Sequence, residues 1–302
     1  MIQNVTKRAL GRSVCCIGFA TAIFTLALAA LQAAPCHAST QESLTVGGVT
    51  RVYYVYTPKS YSAETKVPVV FVLHPLTKDA AWAEHTMGWD QCADKNGFLV
   101  VYGQSSSDIG IWNAGLSDAE RASGADDVGY LEAVMDAVES AYAVDMSRVY
   151  MVGFSAGGIM TAKMGATVPK SLTAIATVAG ITGFADKDVL VPTAPLSIIT
   201  FRGTADRVAP YTSDAPSVLF NIRVYSAAST AADWAHADGC SQPPTTTQIN
   251  GGHIVETDYM GGVGGAEVQL MTVNGGKHEY RLEDTGLIWQ FFSAHTKLTV
   301  SP

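Results

Sequence analysis

The sequence has no Gly-x-x-x-x-Gly-Lys-Ser/Thr loop, no Gly-x-Gly-x-x-Gly fingerprint, no His-Glu-x-x-His and no Cys-x-x-Cys. Nucleotide and zinc chemistry therefore lack sequence support, because each needs such a spacing to shape a phosphate cradle or a ligand set. No cofactor or metal is expected. Positive charge is scarce too, with 19 Lys and Arg against 27 Asp and Glu. An acidic chain of this kind is a poor partner for nucleic acid. Repeats, linkers and a second domain leave no trace in the sequence.

The one long apolar run, Val14 to Leu31, follows Lys7, Arg8 and Arg12 and precedes Cys36-His37-Ala38. This order reads as a secretory signal over residues 1–38, cut before Ser39; the run is short for a spanning anchor. The expectation is a secreted protein, extracellular or periplasmic, with no stable membrane anchor. Removing the three basic residues leaves 16 against 27 acidic ones, a net charge of 16 − 27 = −11. Residues 39–302 suit one large α/β domain. Of five cysteines, Cys92 and Cys240 remain after the signal. An even pair in an oxidising compartment suggests a disulfide, with two buried free thiols as the alternative.

The stretch Val149-Tyr150-Met151-Val152-Gly153-Phe154-Ser155-Ala156-Gly157 joins an apolar β-branched run to Gly-x-Ser-x-Gly and then a helical segment. That is the nucleophile-elbow pattern, in which a sharp strand-to-helix turn lifts a serine Oγ clear of the backbone. Chance matches to the five-residue motif occur; the strand before and helix after give it weight. Further strands are expected at Arg51–Thr57, Val67–Leu73, Phe98–Tyr102, Thr173–Val178, Ser197–Thr200 and Val268–Val273, with a hairpin over Thr245–Met260. Helices are expected at Trp89–Lys95, Asp126–Tyr142, Ala227–Ala237 and Thr285–His295. Strands alternating with helices imply an α/β fold with a mostly parallel central sheet covered on both faces.

A serine hydroxyl needs a base, and the base needs a carboxylate to orient it. In α/β-hydrolases the chain order is Ser, Asp or Glu, then His. Asp206 lies in a short loop after the Ser197–Thr200 strand, whereas Asp214, Asp233, Asp238 and Asp258 lie in a loop, on a helix, at a helix end and in a hairpin strand. Its alternative role is as a turn former. His278 falls between the last strand and last helix; His253, in a hairpin turn, competes with it, and His236 and His295 sit on helices facing solvent. The oxyanion hole needs two backbone N–H donors. Ala156 supplies one, and Leu76, after His74-Pro75, is the candidate for the other, since proline has no N–H.

These residues resemble secreted esterases of the poly(3-hydroxybutyrate) depolymerase and feruloyl/acetylxylan esterase type. The likeness runs from about Arg51 to the closing helix. It rests on Leu73-His74, Trp112-Asn113, Asp126-Asp127-Val128-Gly129-Tyr130, Gly153–Gly158, Gly203-Thr204-Ala205-Asp206 with Pro210-Tyr211, Trp234 with Gly239-Cys240, and Gly275-Gly276-x-His278. The resemblance implies a single α/β-hydrolase domain and a triad of Ser155, Asp206 and His278. Three departures stand out: His74-Pro75 replaces His-Gly, Arg202 replaces the His of His-Gly-Thr-x-Asp, and Glu279-Tyr280 replaces a Trp-Pro rim.

Arg202, Arg207, Lys277 and Arg281 consequently crowd the triad acid and base, in a chain with few cations. Arg202 and Lys277 are candidate contacts for an anionic substrate, with ion pairing to Glu279, Glu283 or Asp284 as the alternative. Trp112 is a candidate wall of an acyl or polymer groove, with buried packing as its alternative. The expected activity is a secreted serine acyl hydrolase cutting esters in a polymer or polymer-linked ester through an acyl-enzyme. Two alternatives stand beside it: amide cleavage in poly(aspartic acid), and a non-catalytic polymer-binding module on the same fold.

Overall fold

A computed structural model describes residues 39–115, 118–181, 191–213, 216–218 and 224–297. The expected signal segment and Asp214 lie outside them. The chain opens with a hairpin, β1 (Thr40–Val46) and β2 (Val49–Tyr56), closed by Gly47-Gly48 with φ of 58° and 82°. Two positive φ angles define the tight turn whose twist suits paired strands, and glycine adopts both without strain. β1 was not expected, because its polar, largely exposed residues carry little hydrophobic signal.

The next elements are β3 (Val67–Leu73), α1 (Ala80–Thr86), α2 (Trp89–Asn96) and β4 (Leu99–Gly103). β3 is buried almost throughout, as a central strand covered on both faces must be. Its pairing shifts register between Val67 and Val69, where Pro68 cannot donate to the ladder. α1 was missed by sequence reading; it starts at Asp79, whose side chain accepts from the Trp82 N–H at 2.7 Å. A short α3 (Asp118–Ala122) precedes α4 (Asp127–Ala141). α4 buries Tyr130, Leu131, Val134, Met135 and Val138 at helical spacing.

Then follow β5 (Val144–Phe154), α5 (Ala156–Thr167), β6 (Ala174–Val178), β7 (Ser197–Gly203), α6 (Ala227–Ala237), β8 (Thr245–Ile249), β9 (Ile254–Tyr259), β10 (Val268–Val273) and α7 (Leu282–Ala294). Among the described residues, ten strands run in the order β1-β2-β4-β3-β5-β6-β7-β10-β9-β8. Six of them, β4 to β10 in that order, are parallel, and an antiparallel hairpin flanks each side. One apolar layer gathers residues of α4, α5 and α6, including Met160, Met164 and Trp234. The other gathers α1, α2 and α7, including Trp89, Ile288 and Phe292. The fold is that of an α/β-hydrolase.

The two layers correct the expected disulfide. Cys92 and Cys240 are both free thiols. Cys92 packs into the α2–α7 layer and Cys240 into the α6 layer, so the sheet separates them. His295 also departs from expectation: it is buried, with Nδ1 2.8 Å from the Phe291 carbonyl.

Candidate active site

The parallel strands β3, β5, β7 and β10 bring four loops to one edge of the sheet. Between β5 and α5 the chain turns on Ser155, at φ 53° and ψ −117°, a conformation costly for a residue with a Cβ. The turn is tight enough that a Cβ on Gly153 would lie 2.1 Å from the Gly157 carbonyl oxygen. A Cβ on Gly157 would lie 2.2 Å from the Leu73 carbonyl oxygen, so the start of α5 presses against the end of β3.

Ser155 Oγ lies 2.8 Å from His278 Nε2, and His278 Nδ1 lies 2.8 Å from Asp206 Oδ2. The carboxylate is almost fully buried, while the imidazole keeps 20 % of its side-chain surface. Asp206 Oδ1 accepts from the N–H groups of Val208 and Ala209, each at 2.8 Å. The turn-forming role weighed for Asp206 and its contact with histidine thus use different oxygens of one carboxylate. The acid and base loops meet backbone to backbone: a Cβ on Gly203 would sit 2.3 Å from the Gly276 carbonyl oxygen. His253 takes no part in this arrangement; its Nε2 faces Arg281 at 3.4 Å.

As the first residue of α5, Ala156 has no helical acceptor for its N–H. Leu76 is half-buried in the loop after β3. Thr77 and Lys78 donate to the carbonyls of Ile109 and Pro75, while among the described residues Leu76 N–H donates to none. Side chains hold this loop in place. Fully buried His74 has Nδ1 3.0 Å from the Pro75 carbonyl, and its Nε2 accepts from the Ser105 N–H at 3.2 Å. Those partners fix a neutral ring with the proton on Nδ1, and burial holds its pKa below the usual 6.5. Trp112 donates from Nε1 to the His74 carbonyl at 3.0 Å and lies against its ring at 5.0 Å.

Trp112 is 1 % exposed, so it packs beneath the loop and does not line a groove. Arg202 also departs from the expected substrate contact. It is 2 % exposed and donates to the carbonyls of Ala209 and Pro210 at 3.2 and 2.8 Å, bracing the Asp206 loop from below. Burial pulls its pKa down to about 10. Arg281 pairs with Glu283 and Asp284. Arg207 and Lys277 remain exposed, with no ion pair among the described residues.

Sequence reading missed the support of His74, which comes from far along the chain. Asp127 pairs with Arg51 at 2.6 Å and accepts from the Asn113 N–H, while Arg51 stacks 3.6 Å over Tyr130 and donates to the Gln104 carbonyl. Asp127 and Tyr130 were visible as part of a motif, without their purpose.

The family model described as Esterase PHB depolymerase matches residues 51–210, which include the elbow, the loop after β3 and Asp206. The chain belongs to the esterase PHB depolymerase family. Feruloyl esterase B of Piromyces equi is 28 % identical over 73 % of this chain, and the poly(3-hydroxyalkanoate) depolymerase C of Paucimonas lemoignei is 31 % identical over 37 %. The alignments cover 41 % and 28 % of those proteins, so the chain spans less than half the length of either relative. An acetyl xylan esterase from Aspergillus awamori superposes with a TM-score of 0.62 at 18 % identity, covering 84 % of this chain and 99 % of the other. That likeness speaks for the fold. The matched family segment ends at residue 210, and His278 is brought to Ser155 and Asp206 by the loop after β10.

Proposed function

We propose that the protein is a serine hydrolase that cleaves carboxylic esters through an acyl-enzyme, acting in secreted form on a polymer or polymer-linked ester. The observation that carries this reading is the unbroken contact from Ser155 Oγ to His278 Nε2 and from His278 Nδ1 to Asp206 Oδ2, each step 2.8 Å. Ser155 attacks the ester carbonyl while His278 takes its proton, and Asp206 stabilises the resulting imidazolium. The N–H groups of Ala156 and Leu76 receive the oxyanion; one such donor is worth about 10²–10³ in rate. His278 then protonates the leaving alcohol, and water, activated by the same histidine, releases the acid. The relatives' names supply the substrate range: feruloyl esters, acetylated xylan and polyhydroxyalkanoates.

A second reading is amide cleavage in poly(aspartate). It is favoured by Arg207 and Lys277, exposed on the acid and base loops and free of ion pairs among the described residues. One panel separates the readings: release of acid from methyl ferulate, acetylated xylan, poly(3-hydroxybutyrate) and poly(aspartate), alongside fluorophosphonate labelling. Ester turnover with a Ser155 adduct, both lost in Ser155→Ala, is the expected outcome. Turnover confined to poly(aspartate) and suppressed by salt selects the second reading. Absence of any adduct on folded protein leaves only a binding module.

A further inference from the structure

The loop from Asn274 to Arg281 carries His278, and it is tied down on both sides of that residue. Two positions before the histidine, Gly276 meets Gly203 of the acid loop. Two positions after it, the Tyr280 ring turns inward, and its hydroxyl enters a chain of hydrogen bonds whose direction is fully determined. Thr285 Oγ1 donates to the Met87 carbonyl at 2.6 Å, so its hydrogen is committed. Tyr280 Oη must then donate to Thr285 Oγ1, 2.7 Å away. The oxygen of Tyr280 in turn accepts from the Trp89 indole N–H at 3.1 Å. Trp89 opens α2 and Thr285 lies in the first turn of α7, so three elements converge on one phenol.

The same residue reaches the imidazole through an aromatic intermediary. Phe154, adjacent to Ser155, lies 5.3 Å from the His278 ring at an interplanar angle of 34°. Tyr280 meets Phe154 edge-on at 6.0 Å, and Trp82 stacks on Phe154 at 6.3 Å. Phe154 is 7 % exposed, so it cannot yield by moving into solvent. The ring that must shuttle a proton between Ser155 and a leaving group thus rests on a plate whose own support is anchored by Tyr280.

We infer that Tyr280 is a positioning residue for His278, holding Nε2 toward Ser155 and Nδ1 toward Asp206 through the Trp89–Tyr280–Thr285–Met87 chain and the Phe154 ring. This rests on the serine-hydrolase reading above. A general base works only in one orientation, and small displacements of reacting groups carry large rate penalties. Removing the hydroxyl leaves the Trp89 N–H without its acceptor and Thr285 without its donor, and the loop regains freedom on the side away from Gly276.

Tyr280→Phe tests this with steady-state kinetics on a p-nitrophenyl ester. The expected result is a kcat about tenfold lower with KM within about twofold. In an Asp206→Asn background the same change should cost less than about twofold, since the orientation it protects is already lost. Thr285→Ala should lower kcat in the same direction, and Thr285→Ser, which keeps the hydroxyl, should restore it; this pair decides the matter if Tyr280→Phe folds poorly. Wild-type kcat in Tyr280→Phe, with only thermal stability reduced, overturns the inference. A wild-type protein that turns over no ester overturns the serine-hydrolase reading, and this one with it; an active wild type beside an indifferent Tyr280→Phe overturns this one alone.

Discussion

The two halves of the proposed active site are built by different means. On the triad side, backbone meets backbone: Gly153 against Gly157, and Gly203 against Gly276, with no room for a Cβ in either place. On the oxyanion side, glycine contributes Gly110 against Lys78 and Gly157 against Leu73, and side chains hold the rest of the loop. His74 and Trp112 hold the carbonyls of Pro75 and His74, and the buried Asp127–Arg51 pair holds Asn113 beside Trp112. A backbone contact has a hard limit and no alternative packing, whereas a side-chain scaffold can relax, at a cost spread over several partners. The first half should therefore fail abruptly when altered, and the second by degrees.

Gly203→Ala is the sharpest way to break the contrast. Its methyl would need the space of the Gly276 carbonyl oxygen, so the acid and base loops must part. The expected loss in kcat/KM is at least about 100-fold, since misplacing a catalytic group by about an ångström costs that much. A folded variant with near-normal kcat/KM on a p-nitrophenyl ester would show that the loops are not held by this contact.

Trp112→Phe probes the other half. It removes one buried hydrogen bond, to the His74 carbonyl, and keeps most of the apolar volume. The expected effect is about 1–2 kcal/mol of stability by thermal or urea unfolding and a fivefold to tenfold drop in kcat, by analogy with the net worth of a buried hydrogen bond. Relative rates across the substrate panel should not change, because the indole does not face substrate; a change in selectivity would return Trp112 to the groove wall.

The smallest expected effect separates the halves by pH. Burial keeps the folded His74 pKa below 6.5, while the unfolded chain titrates near that value. As pH falls below 6.5 the unfolded state binds a proton that the folded state refuses, so the stability this residue contributes is lost through the folded pKa. The protection factor of the Ser105 amide, which donates to His74 Nε2, should fall by about threefold to tenfold between pH 7 and pH 5 in hydrogen exchange. Val208 and Ala209, which donate to Asp206, should hold theirs over that range. Equal loss on both sides would erase the distinction.

The same contrast explains what could be read in the sequence. A backbone constraint leaves glycines at fixed offsets, so the elbow at Ser155 and the Gly203 and Gly275-Gly276 segments marked three loops in chain order. The parallel core was legible because buried strands such as β3 are apolar almost end to end. The oxyanion scaffold was not, since Arg51 and Asp127 are 76 positions apart and each alone resembles a solvated charge. Arg202 misled for the same reason: its neighbours in sequence are the triad acid loop, but its guanidinium turns inward to two carbonyls. The disulfide expectation counted thiols and could not count the sheet between them. β1 was invisible as a hydrophobic pattern, although its Gly47-Gly48 turn was written plainly.

The antiparallel hairpins at the two margins have a further consequence. The four strands that present the working loops, β3, β5, β7 and β10, are all interior, and none forms a boundary of the sheet. The outermost strand β8 is short, exposed and made of Thr245, Thr246, Thr247 and Gln248 before Ile249. Thermal fraying is free to begin there and at β1 while every inner strand keeps both neighbours. The sheet thereby acts as a buffer of sacrificial margins, and chain added or trimmed at either rim should be tolerated so long as the six parallel strands stay paired.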